Sequence, residues 1–249
     1  MEGYRILKNT QVIILGVCIA AATIVSSVIL SRGFLKLMKF QKEVITVTGS
    51  AQMSIKSDYT VWRTYFWRED TDLSAAYKGI MEDLEKVKAY LAAKGVNEDD
   101  IIVSQVDTTT IYRKNARGTD TNEIEGYRLT QGLEVRSSDV DKVTEVSRTA
   151  TDLMVEGIRL ESWAPEYFYT GLDELKVEML ARATENAKLR AESMTKATGN
   201  TIGAIRSAKM GVFQITPVNS TTVSDWGEND TSSLDKKVTA VVSASFAIE

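Results

Sequence analysis

The chain has no histidine and a single cysteine in 249 residues. Without histidine it lacks the commonest general base at neutral pH and the commonest metal ligand. One cysteine, Cys18, permits no intramolecular disulfide, so cysteine usage leaves the redox compartment open. Proline is scarce, with only Pro165 and Pro217, so long helices and strands meet few breakers. Charge is missing from one place in particular. Val12 to Leu30, VIILGVCIAAATIVSSVIL, holds no charged residue in a chain that is 26% charged.

That run has the length of a membrane crossing. At about 1.5 Å per residue it spans roughly 28 Å, close to the hydrocarbon core of a bilayer. It predicts a transmembrane helix over 12–30, with Val12, Ile13, Ile14, Leu15, Gly16, Ala20, Val28 and Leu30 in lipid. Two rivals stand beside this reading. Arg5 and Lys8 ahead of the run and Ala20-Ala21-Ala22 inside it would suit a cleaved signal peptide, although the uncharged run continues for eight residues past Ala22. LGVC faintly resembles a lipidation signal, but Val17 stands where such signals carry a small residue, and Cys18 reads more simply as a small apolar side chain.

Charge divides the chain. Residues 1–42 carry +5 and the remainder −9. The basic end suits anionic lipid headgroups, whereas the acidic body argues against nucleic acid as a partner. Arg32, Lys36 and Lys39, spaced four and three apart, face headgroups if 31–42 leaves the bilayer as a helix, with Gly33 as a place for a bend. Two basic residues precede the run and three follow it soon after. Taken alone, that difference of one charge places the body in the cytoplasm. The organisation read from these patterns is a basic tail over 1–11, the span over 12–30, a juxtamembrane segment over 31–42 and one domain over 43–249.

Beyond residue 43 the hydrophobic period changes. Val44–Thr48 alternates and is β-branched, a strand that Gly49 should end. YTVWRTYFWRE, 59–69, is a second strand. A helix follows over 72–94, with Thr71 as N-cap, Gly95 as stop and Leu73, Tyr77, Ile80, Leu84, Val87 and Leu91 as its stripe. Strands over 99–112 and from Gly126 to Arg136 flank a polar tip at 113–125 and form a long hairpin. Ser138 and Asp141 stand in capping-box spacing before a helix whose stripe is Val140, Val143, Val146, Ala150 and Leu153. A strand interrupted by Pro165 comes next.

Residues 59–169 therefore run β-α-β-β-α-β, two helices on one face of an antiparallel sheet. A long helix over 172–198, striped by Leu175, Met179, Ala183, Ala187, Ala191 and Met194, and two closing strands complete an α+β architecture. Between the closing strands lies a polar loop of twenty residues, expected to be mobile.

Five segments, ITVTGSA with SDYTVW, LAAKGVNEDDIIVSQV, IEGYRLTQGLEVRSSDVDKV, ARATENAKLRAESMTKATGNTIGAI and VTAVVSASFAIE, resemble in that order the SIMPL-domain family. That family includes periplasmic and outer-membrane-associated immunogenic proteins of bacteria. The resemblance covers nearly everything beyond the anchor; Ser57-Asp58 departs from the Pro-Asp often found there. It implies an α+β fold and a tendency to self-assemble and, because the family usually stands behind an export signal, a body on the periplasmic side of a bacterial cell membrane, which outweighs the one-charge difference; the retained membrane anchor is read from the apolar run itself. It supplies no active site.

The residues themselves supply none either, so no catalytic, cofactor or metal residue is expected. The acidic clusters Glu69-Asp70-Asp72, Glu98-Asp99-Asp100 and Asp139-Asp141 sit at element starts, where carboxylates complement helix dipoles or solvate turns. The aromatics Trp62, Tyr65, Phe66 and Trp67 read as core or subunit interface rather than a ligand platform. The leading expectation is a non-enzymatic, membrane-anchored homo-oligomer, a ring- or cage-like scaffold whose partners are lipid and its own copies. A membrane-tethered ligand-binding or sensing module and a carboxylate-dependent hydrolase are the alternatives.

Overall fold

The computed structural model describes the backbone of residues 2–42 and 44–249, and the side chains of 13–35 and 44–249. The Val12, Lys36 and Lys39 side chains lie outside the described residues. The chain divides into two compact units, one of residues 1–49, 183–210 and 242–249, the other of residues 50–182 and 211–241.

In the first unit, helix α1 (Glu2–Lys42) is unbroken and passes through Gly33. Its stretch Ile13–Leu35 is long and apolar enough to cross a bilayer, and none of it is buried. A retained anchor and a signal sequence both have these properties. Strand β1 (Val44–Lys56) runs straight through Gly49 instead of ending there. The glycine marks a close approach, not a turn: a Cβ on it would lie 2.2 Å from the Ala183 carbonyl oxygen and 2.3 Å from the Ala187 nitrogen. Ala183 and Ala187 belong to helix α4 (Leu172–Lys196), and with Ala191 they are fully buried. The same face continues at Thr195, 3% exposed, and not at Met194, which is 56% exposed, because the buried positions recur every four residues. Strand β7 (Ile202–Met210) pairs antiparallel with the end of β10 (Asp235–Ile248).

The second unit holds the expected βαββαβ core. Strands β2 (Tyr59–Asp70), β3 (Ile101–Lys114), β4 (Asp120–Ser137) and β5 (Arg159–Ser162) stand in the order β3-β4-β2-β5, and β6 (Glu166–Phe168) also pairs with β2. The strand expected around Pro165 is thus two short pieces on the same neighbour. Helices α2 (Leu73–Ala93) and α3 (Val140–Thr149) pack on one face. The α2 cap is Asp72 and not Thr71, its carboxylate accepting from Ala75 N at 2.8 Å. The α3 cap is Asp139 and not Ser138, accepting from Lys142 N at 3.2 Å. In each case the residue directly before the helix has the reach to its N3 amide. Leu73 and Tyr77 at the start of α2 are exposed, while Ala76 and Asp83 are fully buried.

The hairpin tip is much shorter than the polar composition suggested. The β3–β4 ladder extends to Lys114↔Asp120, and Asn115 closes the turn by accepting from Arg117 N and Thr119 N. Strand β2 stops at Asp70↔Tyr127, so the ribbon beyond it is only two strands wide. The twenty-residue loop is also structured. Strand β8 (Gln214–Pro217), antiparallel to the start of β10, pairs in parallel with β9 (Glu228–Asn229), and the Gln214 amide donates to Ser224 O at 2.6 Å. Backbone pairing thus holds the base of a loop whose polar composition gave no core residue to do so.

Candidate functional site: the open face of the sheet

Alternation along β2 decides which aromatics are available. Trp62 and Phe66 point under the helices and are 1% and 0% exposed. They are core, the first of the two roles read for them, and so are not available as a subunit interface: side chains two and four positions apart on a strand share a face, and that face is covered. Tyr65 and Trp67 fall on the opposite face and are half-buried. Trp163, just past β5, joins them, its ring centroid 5.4 Å from that of Tyr65 at an interplanar angle of 52°. Its backbone N–H donates to Arg63 O, which keeps it in register with the sheet. The Tyr65 ring lies across Gly132 on β4, where a Cβ would meet it at 2.8 Å. Any larger residue there would lift the ring.

Ion pairs flank these rings. Arg63 donates to Glu134 and Glu166, each at 2.6 Å, and Arg136 also donates to Glu134. Glu69 accepts from Arg128 at 2.6 Å and Arg159 at 2.7 Å. Hydrogen bonds from Arg128, then Arg159, hold the Glu69 carboxyl below its ordinary value. Burial alone would raise Glu134, but Arg136 and Arg63 together outweigh it and pull it down. Glu166, then Glu134, push Arg63 higher. Carboxylates held ionised in this way are poor general acids and good fixed acceptors. Two shallow clefts open between the groups. One, of about 340 Å³, is lined by Tyr65, Trp67, Arg128, Thr130, Glu161 and Trp163. The other, of about 240 Å³, runs from Tyr65 past Gly132 to Arg63 and Arg136.

The three acidic clusters are engaged locally. Asp70 accepts from Asp72 N, Asp72 and Asp139 cap helices, and Asp100 accepts from the Ser137 hydroxyl. Among the described residues, no group of three or more carboxylates, cysteines or histidines converges as a metal site would require. Ile13, Ile14, Leu15, Gly16, Ala20, Val28 and Leu30 are exposed along α1, as is Arg32. Cys18 is exposed there too and carries a free thiol.

Two buried charges escaped the sequence. Asp83, 0% exposed in the middle of the α2 stripe, accepts two hydrogen bonds from the Arg68 guanidinium. Lys236, 3% exposed, donates to the carbonyls of Tyr167 and Asp230 and so ties β6 to the loop before β10. Burial pulls its pKa below the usual lysine range, opposed by Asp230. A charge inside an apolar period was the available signal for Asp83; an alternating strand gave none for Lys236.

The protein-family model named SIMPL, described as a protein of unknown function (DUF541), matches residues 45–246. The chain belongs to the SIMPL family. That match spans β1 to β10 and begins just after α1. No curated protein matches the chain. Among solved structures, an amidase of the hydantoinase/carbamoylase family from Burkholderia phymatum is similar over 52% of this chain, at 10% identity and a TM-score of 0.29. The chain spans 34% of that amidase's length. An uncharacterized conserved protein from Listeria innocua is similar over 80% of this chain and 92% of its own, at 9% identity and a TM-score of 0.20. Scores of this size carry nothing about chemistry.

Proposed function

We propose that this SIMPL protein is a non-enzymatic, membrane-anchored scaffold of the bacterial cell envelope, built from many copies of itself in a ring- or cage-like assembly, with its body on the periplasmic side. The observation that carries the reading is the bare apolar stretch Ile13–Leu35. Twelve large apolar side chains on it, from Ile13 to Leu35, are between 45% and 72% exposed. At about 1.5–3 kcal/mol for each such side chain, keeping them in water would cost roughly 20–35 kcal/mol, more than the whole stability of an ordinary domain. Lipid removes that cost. At about 1.5 Å per residue the stretch reaches roughly 35 Å, enough to cross with a modest tilt.

Self-assembly draws support from the β3–β4 ribbon beyond Asp70. Two strands alone are marginally stable in water, and both edges of the ribbon offer unpaired backbone. Tyr112 and Ile124, paired across it, are 41% and 53% exposed. Anchoring in one bilayer raises the effective concentration of copies, so a modest ribbon contact suffices. A contact of one kind repeated by rotation closes into a ring.

Membrane fractionation and native mass measurement of the full-length chain test both parts. The expected result is a chain that resists alkaline carbonate, keeps its N-terminal residues and gives one discrete multimer in detergent. That multimer should dissociate in a Tyr112→Glu/Ile124→Glu variant. A processed N-terminus beyond Ala22, or a monomer at every concentration, refutes the corresponding part.

A further inference from the structure

The open sheet face holds a feature that neither anchoring nor assembly uses, the cleft of about 340 Å³ between Trp67 and Trp163. We infer that it is a binding subsite for a neutral saccharide. Three rings, Tyr65, Trp67 and Trp163, line one small space, and Trp163 is 51% exposed, aromatic surface that water does not favour. The rim is polar in a particular way. Glu69 accepts from Arg128 and Arg159 and fixes both guanidiniums, each of which carries five N–H donors and so keeps others free. Glu161, opposite Tyr65 in the register, adds a carboxylate acceptor, and Thr130, opposite Trp67, adds a hydroxyl.

The charges of Arg128, Arg159, Glu69 and Glu161 cancel. A site for an anion or an organic cation would carry an excess of the opposite sign; this one offers donors and acceptors together beside π faces. Hydroxyl groups both donate and accept, and a pyranose ring adds an apolar C–H face that packs on the electron-rich face of an indole. The volume is at the lower end for ligand pockets, which suits one or two sugar rings held weakly. The inference does not depend on subunit number.

The test is titration of the full-length protein in a polyoxyethylene detergent, since maltoside headgroups would compete, following intrinsic tryptophan fluorescence. Glucose, cellobiose and chitobiose are the saccharide probes; choline chloride and sodium sulfate probe the cation and anion alternatives. A Trp226→Phe background removes the indole that is 93% exposed and does not line the cleft, and Trp62 is buried and silent to quenchers. Saturable binding of a disaccharide is expected, weakened about tenfold by Trp163→Ala, the equivalent of 1.4 kcal/mol, and severalfold by Glu161→Gln, with both variants still unfolding cooperatively. No saturation with any saccharide, equal binding by Trp163→Ala, or tighter binding of choline or sulfate than of every saccharide would each overturn it.

Discussion

Substituting Gly49 by alanine sets two effects of opposite sign against each other. Backbone entropy alone favours alanine in a strand interior by about 0.5–1 kcal/mol. Against this, the new Cβ would sit 2.2 Å from the Ala183 oxygen, 2.3 Å from the Ala187 nitrogen and 2.7 Å from the Ala187 Cα, where ordinary contact begins at 3.4 Å. All three are main-chain atoms of α4, so no rotamer change relieves them. The helix must retreat by about 1.2 Å, opening the packing around Ala183, Ala187 and Ala191, and overpacking of this kind costs about 1–3 kcal/mol. With rigid backbone on both sides the upper end applies, and the clash wins by about 2 kcal/mol. For a domain of this size that lowers the melting temperature by roughly 4–8 °C. Thermal unfolding of full-length protein in detergent reads the effect, with Gly33→Ala, which meets no atom within 4 Å, as control. An unchanged or raised melting temperature would refute the reasoning. So would rescue by Ala187→Gly, because that change removes a methyl group that takes no part in the clash.

Three further outcomes follow from the same geometry. Arg68→Met strands the buried Asp83 carboxylate under α2 and should cost about 3 kcal/mol in urea unfolding, whereas Arg68→Met with Asp83→Leu should recover most of it. Because Arg128 and Arg159 depress the folded-state pKa of Glu69, its stabilisation is present above the ordinary glutamate value of 4.5 and is lost as pH falls through the folded value; wild type should therefore lose melting temperature more steeply than Glu69→Gln below pH 4.5. Lys236→Met leaves the carbonyls of Tyr167 and Asp230 without their buried donor and should destabilise by about 2 kcal/mol, seen as faster proteolysis near residue 230.

Much of the fold was legible because it follows from local period. The stripes of α3 and most of α4, the alternation of β2 and β4 and the βαββαβ order all emerge from spacing of apolar residues along one segment. Caps were legible only to within one position, since Thr71 and Asp72, or Ser138 and Asp139, are equally good caps by type, and the choice rests on where the helix starts. Glycine was misread at residue 49 because a glycine ending a strand and one admitting a neighbouring helix look alike until the neighbour is known. The aromatic run at 62–67 was recognised and alternation divides it into two faces, but which face is core depends on where α2 and α3 pack. Trp163 attracted no notice, since only pairing of β5 with β2 brings it beside Tyr65.

By itself the sequence determined which segment is too apolar for water, which long segments become helix or strand, and the buried stripes of α3 and most of α4, because those properties depend on residues within a few positions of one another. The tertiary structure alone decided that Gly49 meets α4, that Asp83 receives Arg68, and that three aromatic rings and two guanidiniums share one face. Each of those contacts joins residues far apart in the chain, and their energy depends on ångström-scale approach, which no pattern along a single strand or helix encodes.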